Sequence, residues 1–124
     1  MSEEPIGKEE CARSMRYVHD TLYVLGGKWK LPLILGLMQT PMRFNELQRE
    51  LAGISPKTLA KELKDLELND FVRRSTQPGN PGTVIYEATE YSHTLRALLR
   101  ELRLWGWQHR EKVKQSMRKG STTS

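Results

Sequence analysis

Apolar residues recur three and four positions apart at Met15, Val18, Leu22 and Leu25, the spacing that lays one side of a helix against a core. Gly26-Gly27 ends that predicted helix, because glycine takes the left-handed cap conformation without steric cost. A second segment, Trp29 to Met38, is apolar on most sides and reads as the central buried helix. Pro32 sits near its start, where a missing N–H does little harm, and Pro41 stops it by pushing Thr40 out of the α region. A short helix is predicted from Arg43 to Leu51, with Phe44, Leu47 and Leu51 on one face.

Gly53-Ile54-Ser55-Pro56 reads as a turn leading into a helix start. Ser55 caps free amide groups and Pro56 fits the first helical position, so a helix is predicted from Lys57 to about Asn69. Phe71 to Thr76 and Thr83 to Ala88 carry Val, Ile, Tyr and Thr, which suits a β-hairpin. Its Pro/Gly/Asn-rich tip, Gln77 to Gly82, predicts a loop longer than a tight turn. A final helix is predicted from near Thr89 to about Ser116, with Tyr91, Leu95, Leu98, Leu99, Leu102 and Trp105 at helical spacing. Residues 1–8 and 119–124 are polar and are expected to be disordered tails, leaving 9–118 as one domain. The fold class is mainly α with a small β-hairpin. Four helices, a hairpin and a helix, in that order, form the arrangement of a winged helix-turn-helix.

Composition changes this picture in two places. The chain has 124 residues, 37% hydrophobic and 28% charged, enough for one modest core. The formal net charge of +5 permits a polyanionic partner. Its distribution matters more. From Tyr91 to the end, eight Lys or Arg face two Glu, whereas Arg43 to Thr76 is nearly balanced. Total charge therefore points to the last helix, and any argument about the central helices must rest on how their charges are arranged. The single cysteine, Cys11, excludes an internal disulfide framework and fits a reducing compartment. The first residues lack the apolar run of a secretory signal, and no stretch approaches the ~20 apolar residues of a membrane span. A cytoplasmic location without membrane contact is expected.

The segment Lys57–Asn69 carries the chemistry. At about 100° per residue, Leu59, Leu63 and Leu66 fall within an arc of roughly 60°, and Lys57, Lys61 and Lys64 cluster about 165° away. One side is built for a core and the opposite side is a lysine stripe. A major groove admits a helix, whose outward lysines reach phosphates or guanine edges. Thr58 suits a base or phosphate contact, and the Ser55-capped first turn favours a phosphate. On its own this is also the pattern of an ordinary amphipathic surface helix. The preceding short helix, the glycine-containing turn and the following hairpin favour DNA recognition. Arg73, Arg74, Gln77 and Asn80 on the hairpin, and Arg43 and Asn45 at the start of the short helix, are further candidate contacts, as are Lys28 and Lys30. The rival reading is a winged-helix scaffold that binds protein and never touches DNA. Such a scaffold has no need of clustered cations on the recognition face.

An enzyme finds no support. His19, His93 and His109 lack partners at metal-ligand spacing, and neither a phosphate-binding glycine loop nor a nucleophile elbow occurs. No cofactor or metal is expected. The first and last helices carry more apolar surface than a small core covers. Met15, Val18, Leu22, Leu98, Leu102, Trp105 and Trp107 are therefore candidates for a homodimer interface, where aromatic residues are enriched. Trp105 and Trp107 differ by about 200° around their helix, so they cannot both face one core.

Four motifs in order, Gly26-Gly27-Lys28-Trp29, Arg43-Phe44-Asn45-Glu46-Leu47, Gly53-Ile54-Ser55-Pro56-Lys57-Thr58-Leu59 and Tyr86-Glu87-Ala88-Thr89, closely resemble the HxlR-type helix-turn-helix regulators. The resemblance spans about Val18 to Trp105. It implies a transcription regulator that dimerises through its N- and C-terminal helices. It also implies that the helix from Pro56 reads the major groove, with the hairpin around Pro78–Gly82 beside it. Many members of that family carry a cysteine about ten residues before the Gly-Gly motif, and some use it to sense oxidants or electrophiles. Here Arg16 holds that place and Cys11 lies fifteen residues before Gly26. Arg13 favours a reactive Cys11 thiolate, and Glu9 and Glu10 oppose it. Operator, target genes, sign of regulation and effector are not encoded in these patterns.

Overall fold

The computed structural model describes residues 6–122. Five α-helices and one hairpin follow one another: α1 (Lys8–Leu25), α2 (Lys30–Gln39), α3 (Phe44–Glu50), α4 (Pro56–Leu68), β1 (Val72–Gln77), β2 (Asn80–Ala88) and α5 (Arg96–Thr122). A 3-10 turn, Tyr91–Leu95, leads into α5. Residues 1–5 of the expected N-terminal tail, and 123–124 of the C-terminal one, lie outside the described residues. Lys8 already belongs to α1, and α5 continues through Gly120 to Thr122, past the predicted end near Ser116.

The core is the set of leucines that the helical spacing points inward. Leu33, Ile34 and Leu37 of α2 meet Leu47 of α3, Leu59, Leu63 and Leu66 of α4, and Leu99 of α5. Phe71 and Val72 close it from the hairpin side. As the apolar run predicts, α2 is central, packing against α3, α4, β2 and the 3-10 turn.

Three details depart from the sequence reading. Of Met15, Val18, Leu22 and Leu25, spaced to lie against a core, only Leu25 is buried. Gly26 is extended (φ −71°), and the left-handed residue is Gly27 (φ +102°). Gly26 is needed for another reason: a Cβ there would sit 2.3 Å from the carbonyl oxygen of Leu22. The hairpin tip is also shorter than Gln77–Gly82. Gln77 pairs with Asn80 across a two-residue turn, Pro78-Gly79, with Gly79 left-handed at φ +77°. Proline at the first central position and a positive φ at the second define a type II turn. The predicted looseness reappears as a register shift after Thr76, which pairs with Val84. Residues 81–83 therefore bulge within β2.

One element was not legible from periodicity. Met42, before α3, forms an isolated antiparallel bridge with Tyr86 of β2, each amide donating to the other's carbonyl at 2.9 and 2.8 Å. This ties the start of α3 to the wing.

Candidate nucleic-acid interface

The first turn of α4 is fixed by Ser55, whose Oγ accepts a hydrogen bond from the Thr58 amide at 3.1 Å. The same hydroxyl donates to Thr58 Oγ1 at 2.9 Å, so the two candidate contacts form one capped unit. Beyond it, Leu59, Leu63 and Leu66 are buried while Lys57, Lys61 and Lys64 are exposed. Lys61 leans on Asp65 at 3.4 Å, and neither Lys57 nor Lys64 pairs with an acid among the described residues.

The opposite end of α4 is closed by a Schellman motif. Phe71 N–H reaches the Leu66 carbonyl and Asp70 N–H reaches that of Glu67, with Asp70 left-handed at φ +63°. Thr89 and Ser92 then donate their hydroxyls to the carbonyls of Asp70 and Phe71, which welds the foot of the wing to the α4 end.

Lys30, a further candidate contact, is turned onto α4. Its Nζ donates to Glu62 Oε2 at 2.6 Å and lies 3.4 Å from Asp65 Oδ2, with both Lys30 and Glu62 largely buried. Burial opposes its charge, but the hydrogen bond and attraction to Glu62, with the charge of Asp65, outweigh it and raise its pKa. Lys28 lies over the Trp29 ring, 4.7 Å from its centroid.

The arginines of the interface are all engaged with acids. Arg43 Nε contacts Glu46 Oε1 at 3.1 Å, and the same oxygen accepts the Arg43 amide at 3.0 Å, capping α3. These contacts, the backbone bond first, hold the Glu46 carboxyl below its ordinary value. On β1, successive side chains leave opposite faces of the strand. Arg73 reaches Glu87, its cross-strand partner, through Nη2 at 2.6 Å, while Arg74 leans back 3.7 Å from Glu67 of α4. Arg43 and Gln77 line one cleft of about 440 Å³ between α3 and the wing, together with Glu46, Pro41, Pro78 and Ile85. Asn45 of α3 and Asn80 of β2 are exposed.

On the far side of the molecule, Met15, Val18, Leu22, Leu102, Trp105 and Trp107 are all exposed, and Leu98 is half-buried. Val18, Leu22, Leu98 and Leu102 line an apolar cleft of about 350 Å³ between α1, α2 and α5. Trp105 stacks on His109 at 5.0 Å. Cys11 is half-buried and unpaired in the first turn of α1. The described residues hold no group of three or more His, Cys, Asp or Glu placed to bind a metal, and no helix among them is long and apolar enough to cross a membrane.

A capped helix with an apolar inner face and cationic outer face, preceded by a short helix and followed by a hairpin, defines a winged helix-turn-helix. The profile of the HxlR-like helix-turn-helix family matches residues 24–114. The chain belongs to that family. Among its relatives is the HTH-type transcriptional regulator YodB of Bacillus subtilis, 40% identical over 82 residues that cover 66% of this chain and 73% of YodB. The redox regulator HypR in its reduced form superposes with a TM-score of 0.72 at 33% identity, covering 79% of this chain and 97% of HypR. Diamide-treated YodB from B. subtilis superposes at 0.58 with 36% identity, covering 86% and 96%. This HxlR-like protein is accordingly a DNA-binding transcriptional regulator.

Proposed function

We propose that the protein binds duplex DNA sequence-specifically as a homodimer, each protomer placing α4 in the major groove and the Gln77–Thr83 wing beside it. The observation that carries this reading is the orientation of α4. Its three leucines are buried, and Lys57 and Lys64 project from the opposite side without an ion-pair partner among the described residues. In this arrangement Lys57, Lys61 and Lys64 meet phosphates or base edges, and the Ser55–Thr58 cap presents the first-turn amides to a phosphate. Arg43, Asn45 and Gln77 flank the groove across the α3–wing cleft, and Arg73, Arg74 and Asn80 supply wing contacts.

The dimer reading rests on the exposed apolar residues of α1 and α5 around the 350 Å³ cleft. Met15, Val18, Leu22, Leu98, Leu102 and Trp105 form this interface, while Trp107, the other candidate, lies about 200° from Trp105 around α5 and faces away from it. A two-fold dimer sets two recognition helices about one DNA turn apart. Regulation through Cys11, by an oxidant or electrophile, belongs to the same proposal, supported by the diamide-treated relative. A cytoplasmic location follows from the role.

The test is selection of sites from randomised duplex followed by titration against salt. An inverted repeat with half-sites about 10 base pairs apart is expected. The double variant Lys61→Ala/Lys64→Ala should flatten the salt slope by about two. Unchanged affinity and slope in that variant would remove α4 from the groove.

A further inference from the structure

The eight cations of the last segment take no part in the interface described above, yet five of them share one side of α5. At about 100° per residue, Arg96, Arg100, Arg103, Arg110 and Lys114 fall within an arc of roughly 80° along α5, over about 27 Å. Trp107 lies in the middle of that arc and is two-thirds exposed. All five cations are exposed, and none of the four arginines pairs with an acid among the described residues. Only Lys114 has an acid nearby, Glu111 at 3.5 Å. This differs from Arg43, Arg73 and Arg74, each of which is held by a glutamate.

The position of the stripe is equally distinct. Arg96 and Arg100 border a cleft with Leu35, Met38 and Gln39, and Arg103 borders another with Leu31, Pro32 and Leu35. These are residues of α2, whose other side packs on α4. The stripe and the lysines of α4 are therefore two separate cationic surfaces with the core between them. Leu98 and Trp105 lie roughly opposite the stripe around α5, so a dimer built on those residues leaves it open.

We propose that this face of α5 is a second, sequence-independent DNA-phosphate surface, through which the regulator holds a second duplex segment. Charge complementarity selects a polyanion, and four of the five cations are arginines, whose forks match phosphate oxygens in pairs. The length of the stripe is close to one turn of duplex, about 34 Å. An anionic membrane fits less well. It requires a continuous apolar face beside the cations, whereas the exposed apolar residues at or next to the stripe, Leu104, Trp107 and Met117, stand singly among them. DNA is also the polyanion that this protein already meets, so a second contact acts at high effective concentration.

The experiment compares the full chain with the triple variant Arg103→Gln/Arg110→Gln/Lys114→Gln, and with a variant carrying Lys at both arginine positions. Binding to a duplex of unrelated sequence is titrated against salt, and capture of a labelled second duplex by protein bound to an immobilised one is measured alongside. The expected result is a slope flatter by about two to three in the Gln variant. Second-duplex capture should be lost, site preference and oligomeric state unchanged, and both effects restored by lysine. Unchanged slope and capture in the Gln variant would overturn the proposal. So would binding of phosphatidylserine vesicles or of an acidic peptide by the full chain, abolished in the Gln variant while duplex capture persists. The Lys61→Ala/Lys64→Ala variant also flattens the slope but changes site preference, which the α5 variant leaves unchanged, so failure of either surface is read independently of the other.

Discussion

Lys30 Nζ donates to Glu62 Oε2 at 2.6 Å, fastening the first residue of α2 to the middle of α4 on the flank where Asp65 Oδ2 lies 3.4 Å from both Lys30 and Lys61. The angle of the recognition helix on the body is thus set by a largely buried ion pair as well as by leucines. Removing one partner leaves the other charge in a desolvated place, which costs more than the pair contributes. Lys30→Met is expected to destabilise the fold by about 2–4 kcal/mol. The double variant Lys30→Met/Glu62→Leu should recover part of that loss, read from denaturant midpoints. The pH dependence has a definite sign. Because folding raises the Lys30 pKa, the pair's contribution is fully present below the ordinary lysine value of 10.5 and fades as pH rises through the folded value. Lys30→Met should therefore abolish a stability loss seen only in strong alkali.

Asp70 occupies the left-handed position after α4 at φ +63°, where glycine is the usual residue. The Schellman bonds of Phe71 and Asp70 use only backbone, so they survive removal of the side chain. Asp70→Gly is expected to raise stability by up to about 1 kcal/mol, the left-handed penalty outweighing glycine's greater chain entropy. A lower urea midpoint in that variant would show that the Asp70 side chain supports the turn.

Cys11 is the chain's one thiol, half-buried in the first turn of α1. If it governs DNA binding, diamide should weaken duplex binding at least tenfold in the natural chain and leave Cys11→Ser untouched. With one thiol per chain, a disulfide must join two protomers or a protomer to a small thiol. Mass spectrometry of the treated protein separates these products. Equal duplex affinity of the natural chain with and without diamide would end the redox role.

Helices α2 to α4 were legible because their inner faces carry apolar residues, mostly leucines, at helical spacing, and the α4 start because Ser55 and Pro56 have local reasons to be there. In α1 the same spacing marked the helix but not a core face, since Met15, Val18 and Leu22 are exposed. The candidate site was legible only as far as one helix reports it. The lysine stripe follows from angles alone. The pairing of Lys30 with Glu62 does not, since the two lie 32 residues apart and meet only through the way α2 crosses α4. The Met42–Tyr86 bridge was hidden likewise, because two residues give no periodicity. The wing's tight turn was masked by the bulge at residues 81–83, which makes β2 read as loop. The continuation of α5 past Ser116 was missed because Met117 is its one apolar residue there and the rest, Arg118 to Thr122, carry no apolar spacing, which reads as a tail.

The wing holds a choice that sequence could not state. Arg73 lies against Glu87, which sits directly across the strand pair with its carboxylate partly sheltered. A phosphate approaching Arg73 must compete with that carboxylate and is repelled by it. Glu87→Gln keeps an acceptor for Arg73 but removes the charge, so duplex affinity at low salt should rise about twofold to fivefold, a gain of roughly 0.5–1 kcal/mol. Arg73→Ala should lower affinity and flatten the salt slope by about one. If instead Glu87→Gln weakens binding, Glu87 is what aims Arg73 at the backbone, and the ion pair is a positioning device. Should both variants bind like the natural chain, the first residues of β1 lie outside the interface and the wing touches DNA only through its tip.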